Sequence, residues 1–238
     1  MVNLMRWCIP LLAVLVAAAA QAAPVAGQGT WETTLQARDI NGDSVVDAYY
    51  DTALNITWLA DWNVNGIQDW NTQVAWASGL NVHGVTGWRL PSTTDTGPSG
   101  CDFSFAGGTD CGFNADTASS ELAHMFYVTL GNKAYCPPGD ATCAGGPQAG
   151  FGLSNTADFT NMQSYYLWSG TGYAPSPGYA WYFYTLVGYQ GDLGKLSGLY
   201  AVAVRPGDVA AGVPEPATLG LTLTALGALA LVRRRRPA

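Results

Sequence analysis

The sequence predicts an α+β domain set between two apolar termini, and three observations carry that expectation. Two segments show helical periodicity, near 70–78 and 122–130. Runs rich in aromatic and β-branched residues lie on both sides of them, and Gly-rich loops bearing four cysteines fill the rest. About 190 residues separate the termini, enough for one domain with its own core.

In order, 1–22 reads as a signal peptide. Arg6 supplies a positive start, Trp7 to Ala20 an apolar stretch, and Ala20-Gln21-Ala22 a small-residue cleavage site. Thr30 to Gln36 is expected to be a first strand, followed by strands over Val45 to Tyr50 and Asn55 to Ala60. Trp70 to Ser78 has the pattern of a helix capped by Asp69, with Trp70, Val74, Ala77 and Leu80 on one face and Gly79 at its end. Leu122, Met125, Phe126 and Leu130 mark a second amphipathic helix ended by Gly131. Three late runs, Ser164 to Ser169, Tyr179 to Val187 and Leu199 to Arg205, read as strands.

The chain has a net charge of −7. With Arg6, Arg233 to Arg236 and Glu215 set aside, five basic and sixteen acidic residues remain, a net −11 for the central domain. Such a surface argues against nucleic acid as a partner. Of the five cysteines, Cys8 lies in the signal peptide, and an even set remains for an oxidising compartment. Of the three pairings of four cysteines, the local one is expected: Cys101–Cys111 and Cys136–Cys143, each closing a Gly-rich loop. Zinc is the competing use, but neither pair has CxxC spacing and the two histidines are distant.

Candidate sites are of two kinds. Asp61-Trp62-Asn63-Val64-Asn65-Gly66-Ile67-Gln68-Asp69 places Asp61, Asn63, Asn65 and Asp69 at alternating positions with glycine sixth, the start of a Ca2+ loop. Thr72 stands where the closing carboxylate belongs. Asp39 to Asp47 has a similar alternation, with its glycine fourth. Asp, Asn and Gly are also ordinary turn residues. The second kind is aromatic: Trp62, Tyr173 and Tyr179 fall in stretches that read as loops, where a ring face can stack on a sugar or a partner protein. No catalytic constellation stands out. His83 and His124 are solitary, Ser104 and Ser154 lack a nucleophile elbow, and no Gly-rich phosphate loop follows a strand, so a non-enzymatic protein is expected. The alternatives are an envelope polysaccharide hydrolase using loop carboxylates and a purely structural matrix component.

The C-terminus carries a resemblance. Val213-Pro214-Glu215-Pro216, the apolar run 217–232 and Arg233, Arg234, Arg235 and Arg236 come in the order of the PEP-CTERM signal, the tail that exosortase enzymes recognise. As a helix the run spans roughly 24 Å, against a hydrocarbon core of about 30 Å, and flanking arginines can close the gap by snorkelling. The 209–238 tail therefore implies one transmembrane helix with the arginines as a cytoplasmic stop, and processing by an exosortase near Pro214-Glu215-Pro216. The expected location is the cytoplasmic membrane with the domain in the periplasm, then the cell surface or extracellular matrix.

A second resemblance covers the 30–208 region. Tyr49-Tyr50-Asp51, Asn55-Ile56-Thr57-Trp58-Leu59, Gly87-Trp88-Arg89-Leu90-Pro91, Tyr166-Leu167-Trp168-Ser169-Gly170 and Ala203-Val204-Arg205-Pro206-Gly207 stand in the order of the Lcl C-terminal domain family. That family is similar to C-type-lectin-like folds, with two helices, a small antiparallel sheet and long loops. The likeness implies an extracellular binding or adhesion module, with exopolysaccharide among its candidate ligands. It also implies that Trp88 and Leu90 are core and that Arg89 meets a carboxylate or carbonyl. The Glu-Pro-Asn, Gln-Pro-Asp and Trp-Asn-Asp motifs of calcium-dependent lectins do not occur in the domain.

Overall fold

A computed structural model describes residues 23–95 and 100–209. The segment 1–22 expected as a signal peptide and the Val213 to Arg236 stretch expected as a sorting tail lie outside them. Among the described residues no helix is long and apolar enough to cross a membrane.

The chain is α+β, with two sheets where one was expected. The first runs β1 (Leu35–Arg38), β2 (Ala48–Asp51), β3 (Ile56–Leu59), β9 (Val204–Pro206), antiparallel throughout. The second has the order β4 (Phe103–Ser104), β5 (Cys111–Phe113), β8 (Tyr189–Gly194), β7 (Tyr179–Tyr184), β6 (Tyr166–Gly172), with a parallel pairing only between β4 and β5. Residues Trp31–Thr34, expected as strand, form the short helix α1, because Thr30 closes a turn that receives Thr33 and Thr34 N–H groups. The run Tyr179 to Val187 ends as a strand at Tyr184. A turn at Thr185–Gly188 returns the chain as β8, whose Gly-rich sequence carries little strand propensity of its own. Of the run Leu199 to Arg205 only Val204 and Arg205 are strand, within β9, and single bridges join Leu199 to Gln68 and Tyr200 to Leu167.

Helix α2 (Trp70–Gly79) matches expectation. Asp69 caps it by accepting from Thr72 N, and Ala77 is buried. Its buried partner is polar: Gln73 donates Nε2 to Gly66 and Leu199 carbonyls and accepts from Asn65. The second helix is α3 (Glu121–His124) followed by a π turn over Met125–Thr129, where Leu130 N reaches back to Met125 O. The widened turn frees Thr129 and Leu130 carbonyls for Thr30 N and Asn155 Nδ2, which tie other segments to the helix end.

One core joins both sheets and the helices. Trp58, Leu122, Phe126, Trp168, Phe183 and Val202 are all within it. Trp88 and Leu90 are buried as the resemblance implied. Arg89 makes a bidentate pair with Glu121, at 2.7 and 2.6 Å, and Glu121 also accepts from Ser92 N. The Glu121 side chain is 16% exposed and that of Arg89 36%, so the pair is only partly screened. Glu121→Ala is therefore expected to lower unfolding free energy by about 1–3 kcal/mol, read by urea denaturation, with Glu121→Gln recovering part of it. An unchanged midpoint in Glu121→Ala would show that the pair contributes nothing to stability.

Two disulfides, Cys101–Cys111 and Cys136–Cys143, staple the loops on either side of α3 with the expected local pairing.

Candidate binding face

The second sheet places one aromatic band across its strands. Antiparallel register sets Tyr166 opposite Tyr184 and Tyr184 opposite Tyr189, and the two-residue period adds Tyr182 to the same face. Tyr166 and Tyr184 stack with centroids 3.8 Å apart, and Tyr182 sits 5.1 Å from Tyr166 and 6.2 Å from Tyr189. Tyr189 then meets Phe113 of β5 at 5.2 Å and Phe103 of β4 at 6.3 Å. Tyr165, before β6, extends the row beyond Tyr166. With strands about 4.8 Å apart, five strands carry this band across roughly 20 Å. Its two ends are open to solvent: Phe103 is 47% and Tyr165 42% exposed.

Gly191 makes the band continuous. It lies opposite Tyr182, where a side chain would stand between rings; a Cβ there would come within 2.8 Å of Tyr189 and 3.1 Å of the Tyr182 hydroxyl. Three of the phenols, Tyr182, Tyr184 and Tyr189, are shifted upward. Burial, then neighbouring Tyr189 and Tyr166, push Tyr182 well above the ordinary phenol range. Burial and the Asp192 carboxylate raise Tyr189, and burial and Tyr166 raise Tyr184. Their O–H groups thus remain donors through the whole physiological range. Ring faces for apolar CH surfaces beside hydroxyls that donate and accept are the chemistry of a polyhydroxylated ligand.

The three aromatics expected in loops have different positions. Trp62 is a correction: it is 1% exposed, stacked on Trp58 at 5.5 Å and edge-on to Phe159. The polar Asp61 loop looked solvent-facing, but Trp62 N donates to Thr160 O, and this bridge turns the indole inward. Tyr173 is half-buried; its ring packs on Trp181 and its hydroxyl accepts from Cys101 N, so it braces the first disulfide loop. Tyr179 is 43% exposed at the start of β7. The sequence predicts strand for Tyr165, Tyr166, Tyr182 and Tyr184 of the band, but not for Tyr189, which stands in the unexpected β8. That they share one face depended on register, which spacing alone does not specify.

The acidic loops turn their oxygens on themselves. Asp61 accepts from Asn63 N and Asn161 Nδ2, Asn65 is engaged with Gln73, and Asp69 caps α2. In the other loop Asp39 accepts from Gly42, Asp43 and Ser44 N–H groups, while Asp47 accepts from Ile40 N and pairs with His83. Among the described residues no group of three or more His, Cys, Asp or Glu side chains is placed to hold a metal ion. A cleft of about 460 Å³ lies between the loops, lined by Val45, Val64, Val82, Asp47, Asp61 and Asp158. A second pocket, about 360 Å³, lies between the end of β5, the π turn and the second disulfide loop.

No family model matches the chain, and no curated protein or solved structure matches it either.

Proposed function

We propose that this chain is an exported, non-enzymatic binding module that holds a glycan polymer at the cell surface or in the exopolymer. The observation that carries the reading is the band from Phe103 to Tyr165, an aromatic strip with open ends and phenol hydroxyls along it. Two disulfides suit an oxidising compartment outside the cytoplasm. The C-type-lectin-like reading of the fold and its likeness to the Lcl C-terminal domain rest on the motifs of the sequence. So does sorting through Val213-Pro214-Glu215-Pro216, the 217–232 helix and the arginine stop by an exosortase at the cytoplasmic membrane.

The test is a titration of the full chain against the host's exopolysaccharide, first with calcium and then with chelator. Saturable binding that chelator leaves unchanged is expected, because the loop carboxylates are already engaged. The double variant Tyr165→Ala, Tyr184→Ala should weaken it about tenfold or more while the fold persists. Absence of binding would sink the reading. Binding abolished by chelator would transfer the site to the Asp39 or Asp61 loop.

A further inference from the structure

Five basic residues stand in the described part of this acidic chain, and four are occupied. Arg38 pairs with Asp208, Arg89 with Glu121, and Arg205 donates to Thr86, Pro206 and Asp208 carbonyls. Lys195 donates to Pro177 O and lies 4.2 Å over the Trp70 ring. Lys133 is, among the described residues, the cation whose ammonium makes no hydrogen bond, ion pair or ring contact. It is exposed, and it lines the 360 Å³ pocket.

The groups around it are specific. Asn114 and Gln148 both direct their amide N–H2 groups to the Cys136 carbonyl, so the second disulfide loop fixes their orientation. Asn114 spends its remaining amide proton on Phe105 O, and Gln148 on Ala134 O. Among the described residues neither amide oxygen receives a donor, and the walls beside them are formed by Ala115, Tyr127 and Pro138. Among the described residues no carboxylate forms an ion pair with the lysine; the three ion pairs are those of Arg38, His83 and Arg89.

We infer that this pocket binds one acidic sugar residue, a uronic acid within a polysaccharide. The inference rests on the glycan-binding reading above and names a ligand class for a second, separate subsite. A single ammonium suits a monoanionic carboxylate, two fixed amide acceptors suit ring hydroxyls, and the apolar wall suits the CH face of a pyranose. A more highly charged group is disfavoured by the domain's surplus of eleven negative charges. The volume is that of a small-ligand site rather than a peptide groove.

The experiment uses the full chain with disulfides intact, titrated calorimetrically with short oligomers of galacturonate, glucuronate and mannuronate, with a neutral and a sulfated oligosaccharide alongside. At least one uronate should bind saturably and weaken as salt rises. Lys133→Gln should weaken that binding about tenfold, and Lys133→Arg should retain most of it. The neutral oligomer should be indifferent to both changes, and a matched thermal midpoint shows that the variants are folded. Absence of uronate binding, equal binding by Lys133→Gln, or preference for the sulfated oligomer would each overturn the inference. If the neutral polymer still binds through the tyrosines in any of those cases, the glycan-binding reading stands without this subsite.

Discussion

Trp62→Ala is expected to lower unfolding free energy by about 3–5 kcal/mol, the cost of emptying a large aromatic site in a packed core. The indole is 1% exposed between Trp58 and Phe159, so its removal leaves a cavity lined by rings that cannot follow it. Trp62→Phe should cost far less, about 1–2 kcal/mol. It keeps a ring against Trp58 and deletes an indole N–H that has no hydrogen-bond partner among the described residues. Guanidinium denaturation followed by far-ultraviolet dichroism reads both values. The folded fraction of either variant should bind glycan as the parent does. A Trp62→Ala protein of parental stability with lost binding would return Trp62 to the ligand site.

The second large effect concerns a polar residue. Asn155 is fully buried and its side chain makes four hydrogen bonds: Oδ1 accepts from Val25 N and Ala157 N, and Nδ2 donates to Gln28 O and Leu130 O. Asn132 supports it, donating Nδ2 to Asn155 O and accepting from Asn155 N and Ser154. Asn155→Ala removes both halves of the amide and leaves these groups to find other partners, at about 1–3 kcal/mol for each one that stays buried and unpaired. A loss of about 3–5 kcal/mol is expected. Asn155→Leu should be no better, since size is restored without the bonds. Segment 23–29 should then be cut by protease well before the rest of the chain. Resistance of that segment equal to the parent's would show that other contacts, such as those of Gln28 with Leu130 and Asn132, hold it alone.

Legibility followed the range of the interaction. Helix α2 was readable because its cap, apolar positions and terminating glycine lie within eleven residues, and Asp69 does cap it. The disulfides were readable because each closes a short loop. Strand β8 was missed because Tyr189–Gly194 has weak propensity and is held as strand by pairing with β7 along its whole length. The π turn after His124 was missed because helical periodicity cannot register one extra residue in a turn, which here is shaped by Thr30 and Asn155.

The sequence by itself determined the α+β composition, the first long helix, the paired cysteines and the acidity of the domain, because each is local or additive along the chain. The tertiary structure alone decided that Trp62 is core, that Asn155 anchors the segment before Thr30, and that tyrosines from three strands form one band. It also decided that Lys133 faces a pocket while the other four cations of the domain are engaged. These depend on register and on contacts between residues far apart in the chain, and a one-residue slip in a strand would reverse the face of every ring it carries.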